Sequence, residues 1–350
     1  AKLTGHWKNY WADWTRLRNA VYVTYPYAIA ASRVMNEVNA KLSGVTDKKK
    51  RKAIIKSREK ELKKEFKTLK SLGFQKIRIP LAIDYYLRND KYFIKKIAQL
   101  HRIAQKENLI LVLSYFDHSY TGDQQNIRKN YFIEDWVQIA SIFKKHTSNI
   151  YLDLANEPLL NPDEWQQVQT ELVKAIRMVN PNIFILVGGT NYNSLYELSR
   201  MKPLPFENLI YNFHFYEPFL FTHQGTHWTG SQNSTVGIPY PFKASQMPKL
   251  NPLAENTPGS VNYRDYDKTG NETAILHKLE IISDWAKQNQ VRIWCTEFGV
   301  TQMADIESRC TYLKEVSNAL HYYGIQGFVW EAKGNFGILE SNLNNCFTTR

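Results

Sequence analysis

Long apolar runs are missing from this chain of 350 residues. The longest, at 109–113 and 183–187, hold five residues, well short of the ~18 needed to cross a bilayer, so no membrane span is expected. Cysteine is scarce. Of the three, Cys295 lies in a strand-like segment, which leaves room for one bridge, Cys310 to Cys346, and leaves the redox compartment open. No glycine-rich dinucleotide fingerprint, P-loop or internal repeat is legible, and His214, His223 and His227 lack a flanking carboxylate signature of a metal site. No secretory signal is legible either. Acidic residues are outnumbered 33 to 45 by Lys and Arg, giving a net charge of +12.

That charge is local. Residues 48–70 hold 12 basic and 3 acidic side chains, a local +9. Within them Ile55, Leu62, Phe66 and Leu69 are spaced by 7, 4 and 3, which marks one face of an outer helix with a buried stripe and a solvated basic face. A nucleic-acid or acidic-surface partner is the rival reading of the same segment, and none is expected.

What is abundant is hydrophobic (43%) and aromatic (13%) residue content, enough for a large globular core. Short apolar segments alternate with helical patterns. The candidate strands are AVYVTY at 20–25 (the weakest), KIRIPL at 76–81, LILVLSYF at 109–116, NIYLDLA at 149–155, NIFILVG at 182–188, NLIYNFHF at 208–215, VRIWCTE at 291–297 and IQGFVWE at 325–331. Helices are expected over 52–72, 92–106, 133–146, 163–179, 194–200, 272–288 and 305–323. Near-continuous apolar strands separated by helices imply a parallel sheet covered on both sides. Eight such units in one chain imply a single α/β domain over 1–350, a closed (β/α)₈ TIM barrel. The first 50 residues resist assignment. Residues 217–271, after the sixth candidate strand, are expected to form an extended cleft loop at the barrel mouth.

Barrel chemistry gathers at the C-terminal strand ends. Those ends supply Arg78, Asp117, His118, Asn156, Glu157, His214, Tyr216, Glu297, Trp330 and Glu331. Two carboxylates with hydrogen-bonding neighbours and an aromatic wall are the requirements of glycosidic bond cleavage. Taken singly, each has another use: Glu157 as a helix cap, Arg78 as a structural ion-pair partner, Trp330 as core. Their joint occurrence favours a site.

The segments IRIP, LANEP, NFHFYEPF, CTEFG and FVWEAKGNFGI, in this order, resemble the signature blocks of glycoside hydrolase family 5, the cellulase family of retaining barrel glycosidases. The resemblance implies Glu157 as general acid/base, Glu297 as nucleophile and Asn156 as ligand of the sugar 2-hydroxyl. It further implies Arg78, His214, Tyr216 and Trp330 as supporting residues. The family's histidine after the third strand matches His118 only after a shift. It implies no cofactor and no metal, and a β-glucan or related polysaccharide as substrate. Internal β-1,4-glucan linkages are expected, with β-mannan or β-1,3-glucan as alternatives. A monomer working outside the cell is expected, since polymeric glucan is met there. Retention implies carboxyl groups about 5–5.5 Å apart. The rival classes are a silent carbohydrate-binding barrel and a basic-surface binding protein.

Overall fold

The computed structural model describes residues 48–116, 125–144, 149–339 and 343–346. Seven parallel strands pair in sequence order: β1 (Lys76–Leu81), β2 (Ile110–Tyr115), β3 (Ile150–Asp153), β4 (Phe184–Gly188), β5 (Leu209–Phe215), β6 (Ile293–Phe298) and β7 (Gln326–Val329). The sheet curls into a nearly closed barrel. Across the seam Lys76 Nζ donates to Gln326 Oε1 at 2.9 Å, joining the first and last described strands. The candidate strand at 20–25 lies outside the described residues.

Helices alternate with the strands: α1 (Lys48–Ser71), α2 (Ile83–Asn89), α3 (Phe93–Lys106), α4 (Gln125–Ile142), α5 (Pro162–Val179), α6 (Leu195–Arg200), α7 (Glu272–Asn289) and α8 (Ile306–Tyr322). Their starts follow from short polar side chains. Asn161, Ser194, Asn271 and Asp305 each accept a hydrogen bond from a free N–H of the first turn, and Pro162 occupies the position where no donor is needed. The basic helix α1 buries Phe66 and Leu69, as its spacing requires. α4 begins eight residues before the expected 133, and the short α2 was not expected.

The strand period of two sorts side chains into layers. One set faces the helices and forms the main core, including Ile77, Ile79, Leu111, Leu113, Leu152 and Ile185. The other fills the barrel. Its floor is apolar: Val112, Tyr151, Leu186, Ile210, Trp294 and Phe328. Two residues further along the same strands stand Ser114, Asp153, Gly188, Asn212, Thr296 and Trp330. The interior therefore turns from apolar to polar within one layer, just below the mouth.

The segment 217–271 is a folded insertion of short helices and turns. Ile238, Tyr240 and Tyr266 are buried, and Tyr240 donates to Glu315 Oε2 on α8 at 2.6 Å. Trp228 packs against Phe336 at the mouth, so the segment spans from the cleft to the outer helix. A disulfide joins Cys310 to Cys346, tying the last described turn to α8.

Candidate active site

β3 ends at Asp153, and the chain then carries Asn156 and Glu157 over the barrel mouth. Glu157 has φ 51°, a left-handed conformation uncommon outside glycine. On β6 the pairing slips: His214 faces Glu297 although Phe213 faces Cys295, so one extra residue is accommodated there. The slip lets Thr296 and Glu297, neighbours in sequence, both be buried at the mouth instead of lying on opposite faces.

Glu297 is held from three sides. Arg78 Nη1 donates to its Oε1 at 2.6 Å, the Tyr216 hydroxyl donates to its Oε2 at 2.8 Å, and His214 Nδ1 lies 3.5 Å from Oε2. His214 Nδ1 also lies 2.9 Å from Glu157 Oε1. One oxygen of each carboxylate and that ring nitrogen all fall within 4.8 Å of one another. Glu297 is buried, whereas the Glu157 side chain keeps 26% exposure. One carboxylate is therefore sealed and the other open to the cleft.

Burial raises the pKa of Glu297, against the opposing pull of His214, Arg78 and the Tyr216 hydroxyl, with Glu157 adding to the rise. Burial pushes His214 down to about 4, so the imidazole is neutral at neutral pH. Tyr216 is pushed well above its ordinary range by burial and by both glutamates, so it remains a donor. Burial alone would lower the pKa of Arg78, but Asp153 and Glu297 more than reverse this. It stays a cation, donating also to Ser114 Oγ at 2.8 Å and to Asn156 Oδ1 at 2.9 Å.

An aromatic wall borders the carboxylates. Phe116, Trp330 and Phe336 cluster, with Tyr216 and Trp228 against them. The rings of Phe116 and Trp330 are nearly parallel with centroids 6.3 Å apart. Glu331 is buried and accepts from the Phe336 N–H at 3.0 Å.

The structure thus gathers Arg78, Asn156, Glu157, His214, Tyr216, Glu297 and Trp330 at one mouth. Asp117 and His118 lie outside the described residues. Sequence reading missed Ser114, Asp153 and Asn212, which stand two positions beyond floor residues on their strands, and missed Asn193, Trp228 and Phe336. Alternation along β2, β3 and β5 could have found the first three; nothing in the sequence pattern singles out the others. The donors of Glu157, His214 and Glu297 could hold a divalent cation, but hydrogen bonds from Arg78 and Tyr216 already engage Glu297. Chemically, a sealed anion beside an open carboxyl group and an aromatic wall suits attack on a sugar carbon.

The protein-family comparison matches residues 36–336 to "Cellulase (glycosyl hydrolase family 5)". Endoglucanase C of Acetivibrio thermocellus is 29% identical over 292 residues, covering 77% of this chain and 83% of that protein. Endoglucanase 3 of Fibrobacter succinogenes is 26% identical, covering 79% of this chain and 47% of that one. A solved hyperthermophilic endo-beta-1,4-glucanase in complex with substrate superposes with a TM-score of 0.68 at 25% identity, over 79% of this chain and 83% of its own. The chain belongs to glycosyl hydrolase family 5, the cellulases, and is a glycosidase that hydrolyses O-glycosyl bonds.

Proposed function

We propose that the chain is an endo-β-1,4-glucanase that cleaves with retention, using Glu297 as nucleophile and Glu157 as acid/base. The observation that carries the reading is the close approach of the two carboxylates, whose oxygens with His214 Nδ1 lie within 4.8 Å of one another. That fits the about 5–5.5 Å separation of a double displacement. It leaves no room for the water that inversion needs between groups about 6.5–9.5 Å apart.

In the first step a Glu297 oxygen attacks the anomeric carbon as the glycosidic C–O bond breaks, and Glu157 gives its proton to the departing oxygen. In the second, Glu157 takes a proton from water. The resulting hydroxide oxygen bonds to the anomeric carbon, and the glycosyl ester to Glu297 breaks. Arg78 and Tyr216 keep Glu297 ionised and aimed. Arg78 fixes Asn156 by its carbonyl oxygen, leaving the amide N–H₂ for the sugar 2-hydroxyl. The faces of Trp330 and Trp228 supply apolar contact for sugar rings.

The β-1,4-glucan assignment follows the names of the relatives. A polymeric substrate suits secretion, and the chain is taken to act as a monomer. The test is reducing-sugar release from soluble cellulose, mixed-linkage glucan, glucomannan, mannan, xylan and laminarin, beside Glu157→Gln and Glu297→Gln. Activity on β-1,4-glucan with the β-anomer formed first, and a loss of several orders of magnitude in both variants, is expected. First formation of the α-anomer would overturn retention, and preference for mannan or laminarin would overturn the substrate.

A further inference from the structure

Glu157 does not hold its left-handed backbone by itself. Its N–H donates to Asn193 Oδ1 at 2.6 Å, across from the β4–α6 loop. Asn193 is buried and itself left-handed (φ 53°), the third such residue in a row after Asn191 (54°) and Tyr192 (62°). Three consecutive non-glycine residues in that region are costly for L-amino acids, and Asn is among the residues that bear it best. The loop is thus shaped to deliver one amide.

The other atoms of Asn193 are equally occupied. Its carbonyl accepts from the His214 N–H at 2.9 Å, and His214 Nδ1 meets the Glu157 carboxylate. So Asn193 grips the backbone of both partners of that contact. Its Nδ2 donates to Asn212 Oδ1 at 3.2 Å. Asn212 Nδ2 donates to Asp153 Oδ1 at 3.0 Å, Asp153 Oδ2 accepts from Arg78 Nε at 2.7 Å, and Arg78 reaches Glu297. A continuous buried chain of hydrogen bonds therefore runs from the backbone of one glutamate to the carboxylate of the other. Nearby, Thr190 Oγ1 donates to the carbonyls of Pro158 and Leu160, binding the same loop to the segment after Glu157.

We infer that Asn193 is a positioning residue for acid catalysis, fixing the Glu157 backbone and its contact with His214 and so setting the spacing of the two carboxylates. This rests on the reading of Glu157 as acid/base. Without the amide, Glu157 loses the acceptor that holds its N–H, and its carboxyl group is held less firmly in place against His214 Nδ1. A misplacement of about 1 Å can cost about 10²-fold in rate.

The test uses aryl β-cellobiosides with a poor (phenyl) and a good (dinitrophenyl) leaving group, because only the poor one needs a proton from Glu157. Asn193→Gly keeps the left-handed backbone accessible and removes only the amide. It is expected to lower kcat/KM by about 10²-fold on the phenyl glycoside and to change the dinitrophenyl glycoside little in the bond-breaking step. Asn193→Asp keeps the acceptor for the Glu157 N–H and is expected to narrow that split. Should the glycine variant not fold, Asn193→Ser, whose hydroxyl is too short to span the gap, takes its place. Equal losses on both glycosides would overturn the inference, since a merely structural residue acts that way. Glu157→Gln runs alongside: if it shows no leaving-group split, the acid/base reading has failed, and if it splits while Asn193→Gly does not, only the inference has.

Discussion

Arg78 Nη1 lies 2.6 Å from Glu297 Oε1, with both side chains withdrawn from solvent. A buried cation this close opposes the desolvation that favours the neutral form of a buried carboxyl group. The same guanidinium binds Asp153, Ser114 and Asn156, so one planar group aligns four partners.

Replacing Arg78 by Lys should therefore be severe although the charge is kept. An ammonium has three donors without the planar fork and cannot serve all four partners. A loss of about 10²-fold or more in kcat is expected, comparable to removal of one donor from a preorganised electrostatic site. Arg78→Ala should also destabilise the fold by about 3–5 kcal/mol, because Asp153 and Glu297 would be left buried without their cation. Urea unfolding of both variants checks this; an alanine variant as stable as the parent would contradict it.

Tyr216→Phe separates geometry from ionisation. Its hydroxyl donates to Glu297 Oε2 and lowers that carboxyl's pKa, opposing the rise due to burial. Removing the hydroxyl must raise the pKa further. If Glu297 is the nucleophile proposed above, catalysis needs it ionised, and the acid limb of the pH profile of kcat/KM should move to higher pH. A limb that stays put, or moves toward acid, would refute the assignment of that limb to Glu297.

The bridge between Cys310 and Cys346 closes 36 residues that include β7 and the Trp330 segment. Loop-closure entropy puts its contribution at about 4 kcal/mol. Cys310→Ser, or reduction, should lower the denaturant midpoint accordingly. Of the aromatic wall only Trp330 and Phe336 lie within the closed loop, and both carboxylates lie outside it, so activity at moderate temperature should survive while its thermal limit falls. Identical unfolding curves with and without reductant would exclude the stabilising role.

Much of this was legible in the residues. The segment 76–81 is a strand with the expected bounds, and the apolar runs at 183–187 and 208–215 fall on β4 and β5. Continuous hydrophobicity flanked by turn residues is a strong local signal. The basic segment gave a helix whose Phe66 and Leu69 are buried, because period reports burial whatever the charge opposite. The glutamates stand out because each stands at or just past the end of an apolar strand-like segment, at 149–155 and 291–297. The slip in β6 and the grip of Asn193 on Glu157 did not stand out. Both depend on which strand lies beside which and in what register, and a single segment does not encode that. The insertion at 217–271 reads as an extended cleft loop for a similar reason: its Pro, Gly and Asn content hides the buried Ile238, Tyr240 and Tyr266, and Tyr240 roots it on α8.

Gly188 supplies the last test, at a position that touches neither carboxylate. It ends β4 in the layer that also holds Ser114, Asp153, Asn212 and Thr296, and a Cβ there would overlap Asn212 Oδ1 and Asn193 Nδ2. Its missing side chain is the space in which those two amides meet. Gly188→Ala must push them apart, at a cost of about 1–3 kcal/mol for overpacking. If the chain of hydrogen bonds from Glu157 to Glu297 sets the spacing of the carboxylates, activity should fall more than stability does. The fall should be larger on phenyl than on dinitrophenyl cellobioside. A variant that loses stability but keeps the parent's leaving-group dependence would show that the link between Asn193 and Asn212 matters to folding alone.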